Sequence, residues 1–372
     1  MILLTILIFI VILGLLVFVH ELGHFVMAKR AGMRVEEFGF GFPPKLFGIK
    51  RGETTYSINL VPLGGFVKIV GEDGSDNSDP ASFGNKSAGQ RFFVLIAGVS
   101  MNVILAWVLI SIGMGLGLPT VLGEGEQLPP YARVRNQAVG VLEVQDKTPA
   151  AVAGLKAGDT ILKINGQPVS SIQDAQSTTL KDAGQVTIYT IKRGSDIFDK
   201  QITPRVNPPV GEGALGIALG SVGYVSYPWY QAPWRGAVAI FNLIVLTVTT
   251  FAGVIWQFLH GHQVTAALSG PVGIAVLTRD VTALGFIYLL QFTAVLSVNL
   301  AIINAVPFPA LDGGRVLFLI IEKIRGRKLP IKAEQLANTI GFILLLLLMA
   351  AVTVRDVGHY STQFKHLFQR IF

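Results

Sequence analysis

The sequence contains no cysteine, and this absence excludes structural disulfides and any metal site with thiolate ligands. Charged residues are also scarce: they make up 14% of the 372 residues, whereas about a quarter is usual for a soluble protein. Hydrophobic residues make up 51% and are gathered in long runs. The net charge is +7, and its Lys and Arg residues cluster beside those runs. This pattern favours orientation in a membrane over nucleic-acid binding.

Four apolar runs are long enough to cross a bilayer as helices, which takes about 20 residues. They cover 2–28, 92–118, 284–306 and 336–354. We expect the first run to be a permanent helix and not a signal peptide, because no basic residue precedes it and it contains His20, Glu21 and His24.

A fifth run, 236–259, also has the length to span. Basic residues in 29–91 and in 315–328 place both of these segments on the cytoplasmic side, which requires an even number of crossings between them. We therefore predict that 236–259 lies along the outer membrane surface or packs on the bundle.

The segment 131–206 differs from the apolar runs, because it alternates apolar and polar residues in short stretches. The pattern predicts strands at 139–144, 160–164 and 186–191, separated by turn sequences such as Asn165-Gly166. Two short helices fit between these strands, at 149–153 and 172–181. The segment is predicted to form a small β-rich domain.

The strongest chemical signal is His20-Glu-Leu-Gly-His24, an H-E-x-x-H motif inside the first apolar run. Residues four apart lie on the same face of a helix, so both imidazoles can bind one zinc ion. Glu21 is placed to act as a base on water rather than as a ligand. The alternative is a pair of hydrogen-bonded packing histidines, but such polar groups are costly in hydrocarbon and usually functional.

A catalytic zinc needs a third protein ligand and an open position. Asp312 is the candidate, because it follows Pro307 and Pro309, which interrupt a helix at membrane depth, and precedes Gly313-Gly314, which we expect to permit a tight turn. Open backbone at that depth is tolerated where it lines a cavity. The alternative role for Asp312 is that of a helix-capping or loop carboxylate.

These motifs resemble those of the site-2 protease family, and more closely those of its bacterial RseP-type members. The resemblance rests on His20-Glu-Leu-Gly-His24, on Asn304 with Leu311-Asp312-Gly313, and on the segments 61–67 and 268–274, and it covers nearly the whole chain. It implies zinc bound by His20, His24 and Asp312, Glu21 as general base, and Asn304 holding the substrate backbone. It also identifies 131–206 as a PDZ-like domain, present once where well-known relatives carry two.

The resemblance further implies cleavage of single-span membrane proteins within their transmembrane segments, after an upstream site-1-type protease has trimmed them. Typical substrates are anti-sigma factors and remnant signal peptides. The implied location is the inner (cytoplasmic) membrane, with several crossings and the PDZ-like domain on the extracytoplasmic side.

Two segments are candidates for contact with a peptide. The stretch 53–60 followed by 65–70 predicts a β-hairpin after the first helix, whose free edge, at Gly65, Phe66 and Val67, could add a substrate strand. The family resemblance implies that this hairpin re-enters the membrane, and an ordinary cytoplasmic hairpin is the alternative. In the PDZ-like domain the candidate binding loop is 139–142, including Gly140, Val141 and Leu142; the domain could instead exclude bulky substrates sterically.

The predicted fold is a polytopic α-helical membrane protein with four transmembrane helices, a cytoplasmic-side β-hairpin and an inserted α+β PDZ-like domain. In chain order the segments are the first transmembrane helix (1–29), the hairpin region (30–90), the second transmembrane helix (91–118), the PDZ-like domain (131–206), a surface helical region (207–283), the third transmembrane helix (284–314), a basic cytoplasmic loop (315–335), the fourth transmembrane helix (336–354) and a tail (355–372).

Two other classes of function compete with a protease. A catalytically silent scaffold of the same fold would tolerate loss of the chemical residues, yet His20, Glu21, His24 and Asp312 are all present. A transporter would use intramembrane polar residues for ions, but it predicts inverted repeats, and the sequence shows none.

Overall fold

The structure is a computed structural model that describes residues 2–72, 79–123, 128–209, 211–261 and 270–359. The chain divides into two compact units. Unit 1 comprises residues 1–108, 238–279 and 293–372, and unit 2 comprises 109–237 and 280–292. The predicted tail beyond residue 359 and the first two residues of the segment 268–274 lie outside the described residues.

The described residues form nine α-helices and one short 3-10 helix, Phe83–Asn85, and five of the α-helices are long and strongly apolar. In chain order the helices are α1 (Ile2–Arg30), α2 (Ala88–Leu116), α3 (Pro149–Val152), α4 (Ile172–Lys181), α5 (Ala232–Leu259), α6 (Pro271–Leu284), α7 (Phe286–Ala305), α8 (Asp312–Arg325) and α9 (Ile331–His359).

The described strands belong to two sheets, one in each unit. In chain order they are β1 (Val35–Arg51), β2 (Thr54–Ile69), β3 (Leu118–Leu122), β4 (Arg133–Val144), β5 (Thr160–Ile164), β6 (Gln167–Pro168), β7 (Thr187–Arg193), β8 (Asp196–Ile202) and β9 (Ile217–Ser226).

Among the described residues, five helices are long and apolar enough to cross a membrane: α1, α2, α5, α7 and α9. Four of them coincide with the predicted spans, so the prediction of a multi-pass helical protein is confirmed. The fifth, α5, is the run predicted to lie along the outer membrane surface or to pack on the bundle, and its length and composition alone do not decide its position. The number of four crossings therefore stays a prediction.

The region after the third apolar run is interrupted at the prolines, as the sequence predicts, but part of the predicted basic loop is helical. The helix α7 ends at Ala305, and Asp312 is the first residue of a separate helix, α8. The predicted transmembrane segment 284–314 is thus interrupted, and residues 315–325 of the predicted basic loop are helical. The physical reason is that Pro307 and Pro309 break the first helix, while 312–325 contains no proline and keeps helical periodicity.

The predicted β-hairpin is present in unit 1, and it is folded over on itself. Both strands bend, β1 near 41–44 and β2 near 61–64, so the sheet has four segments in the order 65–69, 35–40, 54–59 and 45–51. Gly41 at the first bend has a φ of 80°, a conformation that side chains with a Cβ rarely adopt. The segment 65–69, called here the free-edge strand, pairs with β1 on one side, and no described strand pairs with its other side.

The helix α1 packs against both the hairpin and α2. Phe25 stacks on Phe38 of β1 with ring centroids 4.7 Å apart, and Val94 of α2 joins a small buried cluster with residues of α1 and the hairpin. A Cβ on Gly23 would lie 2.7 Å from the carbonyl carbon of Ala97. The glycine inside the H-E-x-x-H motif is therefore what lets α1 and α2 approach closely.

Unit 2 contains a sheet with the strand order β3-β9-β4-β5-β7-β8, and β6 pairs with β5. Its buried core includes Tyr189, whose hydroxyl lies 3.1 Å from that of Thr179. Arg193 donates two hydrogen bonds of 2.6 Å to the buried Asp159 carboxylate, and this contact raises the pKa of Arg193 although burial acts in the opposite direction.

The predicted strands and helices of 139–193 are confirmed. The sheet also includes β3 and β9, which lie outside the predicted range 131–206.

The predicted peptide-binding loop of this unit is not a loop. Gly140, Val141 and Leu142 lie in the middle of β4, where β9 pairs on one side and β5, with its preceding turn, bonds on the other. Gly140 and Val141 are thus paired on both sides, whereas Leu142 lies at an irregularity of the pairing between Val141 and Glu143. A peptide-binding role for these three residues stays a prediction. Among the described strands, one open edge is that of the first part of β9, 217–220, because β3 pairs only with 221–225; α4 lies nearby.

Candidate metal centre

The predicted ligand pair lies on one helix. His20 and His24 occupy successive turns of α1, and both side chains are buried. Their Nε2 atoms are 3.3 Å apart, and their rings meet edge to face with centroids 4.9 Å apart. The two nitrogens therefore converge on one point, as positions four apart on a helix allow.

The structure places Asp312 at the same point, although 288 residues separate it from His24 in the sequence. Its Oδ2 atom lies 3.0 Å from His20 Nε2 and 3.2 Å from His24 Nε2. Among the described residues, these three are the group of His, Asp and Glu side chains close enough to hold one metal ion.

The donor triangle has the dimensions of a zinc site. Ligand atoms about 2.0–2.2 Å from a tetrahedral zinc lie about 3.3–3.6 Å from one another. The three edges here are 3.0, 3.2 and 3.3 Å, within a few tenths of an ångström of those values. Two imidazoles and one carboxylate also form a donor set suited to zinc, with a fourth position left for water or substrate. The residues therefore fit the ion.

Both histidines have a hydrogen-bonding partner on α2 that orients the ring. His24 Nδ1 donates to the carbonyl oxygen of Val94 at 2.8 Å, which leaves Nε2 free to bind metal. The carboxamide nitrogen of Asn102 lies 3.2 Å from His20 Nδ1, and its buried Oδ1 has no partner among the described residues. A half-turn of the amide lets Oδ1 accept the Nδ1 proton, which satisfies both groups and again leaves Nε2 free.

Gly98 of α2 packs directly against the imidazoles of His20 and His24. A Cβ at this position would lie 2.7 Å from His20 Cε1 and 2.8 Å from His20 Nε2, and it would also meet His24 Nε2. Real Cβ atoms do not approach other atoms this closely, so the imidazoles fit only because residue 98 has no side chain.

Glu21 and Asn304 line the cavity beside the ligands. This cavity has a volume of about 220 Å³, and its other lining residues are Val17, His20, Leu300, Ala310, Leu311 and Asp312. The structure therefore brings the predicted base and the predicted substrate-holding amide to the same space as the metal ligands. Their roles stay predictions.

The free-edge strand approaches the same helix. A Cβ built on Gly65 would lie 3.8 Å from Glu21 Cγ and 3.9 Å from Phe18 Cα. Gly65, Phe66 and Val67 are paired with β1 residues 38–40 on the far side from their open edge. The predicted edge is thus present, and it lies close to the predicted base.

Gly313 and Gly314 have a different role from the predicted tight turn. Both are buried in the first turn of α8. A Cβ on Gly313 would lie 2.6 Å from the carbonyl carbon of Ala305, and one on Gly314 would lie 2.7 Å from that of Phe308. These glycines therefore allow α8 to pack against the chain that precedes it, which brings Asp312 to the histidines.

Ion pairs surround the first turns of α8. Arg315 forms a hydrogen-bonded ion pair with Glu72, which follows the hairpin, and Arg91 of α2 donates to Glu322 at 2.9 Å. Desolvation lowers the pKa of Arg315, but the charges of Glu72 and Asp312 raise it, and the net shift is upward. The arginine therefore stays charged and ties the Asp312 helix to the hairpin.

Sequence reasoning did not assign a role to Gly98 or to the carboxamide of Asn102. A signal was available for Asn102, since a polar residue inside an apolar span usually has a partner or a function. No comparable signal marks Gly98, because glycine is frequent in membrane helices.

Together these features define a helical membrane protein in which two histidines and one aspartate, beside a glutamate, could hold a metal ion. Residues 8–348 match the sequence profile of Peptidase family M50. The chain belongs to this peptidase family, and the resemblance seen in its motifs is confirmed.

Curated relatives cover nearly the whole chain. A Clostridium acetobutylicum protein is 36% identical over 344 residues, spanning 92% of this chain and 94% of its own length. The zinc metalloprotease RasP of Geobacillus kaustophilus is 32% identical over 446 aligned positions, spanning 95% of this chain and 97% of its own. The regulator of sigma-W protease RasP of Bacillus subtilis is 30% identical, spanning 95% of this chain and 98% of its own.

Solved structures are similar to a small part of the chain. The PDZ domain of the SdrC-like protein from Listeria monocytogenes is 28% identical, covers 23% of this chain and 92% of its own, and superposes with a TM-score of 0.21.

Proposed function

We propose that this protein is a zinc-dependent intramembrane endopeptidase that cleaves single-span membrane proteins within their transmembrane segments. The observation that carries the proposal is the triangle of His20, His24 and Asp312 donor atoms, 3.0–3.3 Å on a side, beside Glu21. Two of these ligands and Glu21 lie on a helix apolar enough to span a bilayer. The names of the RasP relatives support the same activity.

Each residue of the site has its own proposed role in the cleavage reaction. His20, His24 and Asp312 would hold zinc, which would supply Lewis-acid stabilisation of the scissile carbonyl and a lowered pKa of the attacking water. Glu21 accepts the proton of that water and delivers it to the leaving amine nitrogen. Asn304, on the same cavity, donates or accepts a hydrogen bond to hold the substrate backbone. The wall formed by Val17, Leu300 and Leu311 contacts the side chain next to the cleaved bond.

The test of this function is an assay of purified full-length protein in lipid. We expect about one zinc per chain and cleavage of a single-span substrate within its apolar segment. Because the natural substrates proposed are anti-sigma factors and remnant signal peptides, one of each class is the appropriate probe. A protein that binds zinc but cleaves neither would favour the catalytically silent scaffold.

The free-edge strand is proposed to hold the substrate. A helical substrate hides its peptide bonds, and pairing with an open strand edge would keep it extended beside Glu21. The position of Gly65 against α1 supports this role.

Proline at the free edge should therefore reduce cleavage and leave zinc in place. In an antiparallel strand alternate N–H groups point away from the partner, so either Phe66→Pro or Val67→Pro removes an outward donor. Ile49→Pro and Lys50→Pro, on the opposite edge of the same sheet, are the controls. Cleavage rates and zinc content are measured for all four. Undiminished cleavage in both free-edge variants would remove the strand from the mechanism.

We also propose four membrane crossings, by α1, α2, α7 and α9, in the inner membrane, with the PDZ-like domain outside. Basic residues follow α1 and Asp312, and the positive-inside rule places both segments in the cytoplasm. Trp229, Tyr230 and Trp234 at the start of α5 are strongly exposed, as is usual for aromatic residues at a membrane interface. This supports a position of the start of α5 at the membrane interface, which the proposed surface location requires.

Single introduced cysteines test the topology, because the natural sequence has no cysteine that would also react. We expect Arg325→Cys and Lys50→Cys to react only from the cytoplasmic side and Lys181→Cys, in unit 2, only from outside. Labelling with an impermeant reagent in intact and opened cells measures this. If Arg325→Cys reacted from outside, α5 would have to be counted as a fifth crossing.

The PDZ-like domain and an upstream site-1-type protease complete the proposal. The open edge of β9 at 217–220 is available to bind a newly made peptide end by strand addition. The other possibility is that the domain keeps substrates with bulky external parts away. Labelled peptides added to the full-length protein distinguish the two, since only the first requires saturable binding that Leu219→Pro would weaken.

A further inference from the structure

The linker from α7 to α8 sets the position of Asp312, and its backbone is held by few groups. It comprises residues 306–311. Pro307 and Pro309 have no N–H, and the other residues must each find an acceptor, because unpaired backbone groups are costly away from water. Three of them donate to nearby backbone carbonyls: Val306, Phe308 and Leu311. Ala310 remains, and its acceptor comes from another helix.

That acceptor is the side chain of Asn338. The backbone N–H of Ala310 donates to Asn338 Oδ1 at 3.1 Å. Asn338 lies in α9, a helix otherwise apolar enough to span the membrane. One turn further, a Cβ on Gly341 would lie 2.8 Å from the carbonyl carbon of Pro309, so α9 packs directly against the linker.

Ala310 also has an unfavourable backbone conformation. Its φ is 76°, in the left-handed region where a residue with a Cβ is strained. Such strain persists only where the surroundings hold it, and it is concentrated at functional sites. Here it lies two residues before Asp312, at the point where the chain turns from the linker into α8.

We propose that Asn338 is a positioning residue for the metal ligand Asp312. By accepting the N–H of Ala310 it holds the strained turn that directs the Asp312 carboxylate towards His20 and His24. This inference rests on the proposed function, since it assigns Asn338 a role in zinc binding. It differs from a packing role because it predicts that relieving the strain at residue 310 compensates for loss of the Asn338 contact.

The test measures zinc affinity of full-length protein in lipid by competition with a chelating dye. We expect Asn338→Leu, which removes the acceptor, to weaken zinc binding about tenfold, the low end for supporting groups around a metal site. Asn338→Asp, which keeps an oxygen in the same place, should bind zinc nearly as the wild type does. Adding Ala310→Gly to Asn338→Leu should restore most of the affinity, because glycine adopts this φ without strain. Thr339→Val on the same helix is the control, since its hydroxyl bonds only within α9.

A second pair of variants keeps the test decisive if Asn338→Leu does not fold. Ala310→Val should weaken zinc binding and Ala310→Gly should not, because a β-branched residue tolerates this φ least. Unchanged affinity in both Asn338→Leu and Ala310→Val, or failure of Ala310→Gly to restore the double variant, would overturn the inference. Absence of zinc from the wild type would instead refute the proposed function, so the two failures are distinguishable.

Discussion

Replacement of Glu21 by glutamine is expected to abolish cleavage and to preserve zinc binding. The substitution keeps the size and hydrogen-bonding capacity of the side chain but removes its ability to take a proton. General acid–base groups contribute about 10²–10⁴-fold to rate, so cleavage should fall by that factor. Because Glu21 lines the cavity without belonging to the donor triangle, zinc content should equal that of the wild type. Rate and zinc content are measured on the same purified samples.

The control for this variant is Glu53→Gln, the same change at an exposed position in the hairpin turn. It should leave both quantities unaltered. Loss of zinc in Glu21→Gln would mean that the glutamate helps to hold the metal. Full activity in Glu21→Gln would exclude it as the base and leave the cavity without an assigned proton acceptor.

The second large effect is expected from Gly98→Ala, a single added methyl group. That methyl would lie 2.7–2.8 Å from the ring of His20 and against His24, so one or both imidazoles must move. Buried, close-packed sites relax poorly. We expect zinc affinity to fall by about 100-fold, the upper end for changes around metal ligands. Cleavage at saturating zinc reports whether the moved ligands still form an active site.

Gly89→Ala is the matched control, because Gly89 also lies in α2 and a Cβ there would have no atom within 4 Å. Equal zinc affinity in the two alanine variants would show that the residues around Gly98 move to accommodate the methyl group more readily than the distances indicate. Thermal unfolding of both variants separates local displacement of ligands from a general loss of stability.

Local sequence patterns were sufficient to predict which residues come together at the candidate metal site. His20, Glu21 and His24 are spaced for one helix face, and a carboxylate at a helix break in another span is unusual enough to stand out, as Asp312 does. The structure brings these residues together. The prediction needed only periodicity and the high cost of polar groups in hydrocarbon.

Features that depend on distant neighbours could not be predicted in the same way. Alternation within 139–144 indicated a strand but not that β9, beginning at residue 217, covers one of its edges. Gly313 and Gly314 appeared to permit a turn, whereas their neighbours in space make them packing positions. The contacts of Asn102 and Asn338 likewise depend on which helices meet.

The glycines at the contacts between helices differ from the residues that line the cavity in how much change they can tolerate. Gly23, Gly98, Gly313 and Gly341 all face backbone or ligand atoms at distances that exclude any larger residue. Val17, Leu300 and Leu311 instead border open space. Substitutions at Val17 and Leu300, which lie outside the linker that positions Asp312, should therefore leave zinc binding intact. A protein engineer can alter which residues are cut by changing these two side chains while keeping the glycines.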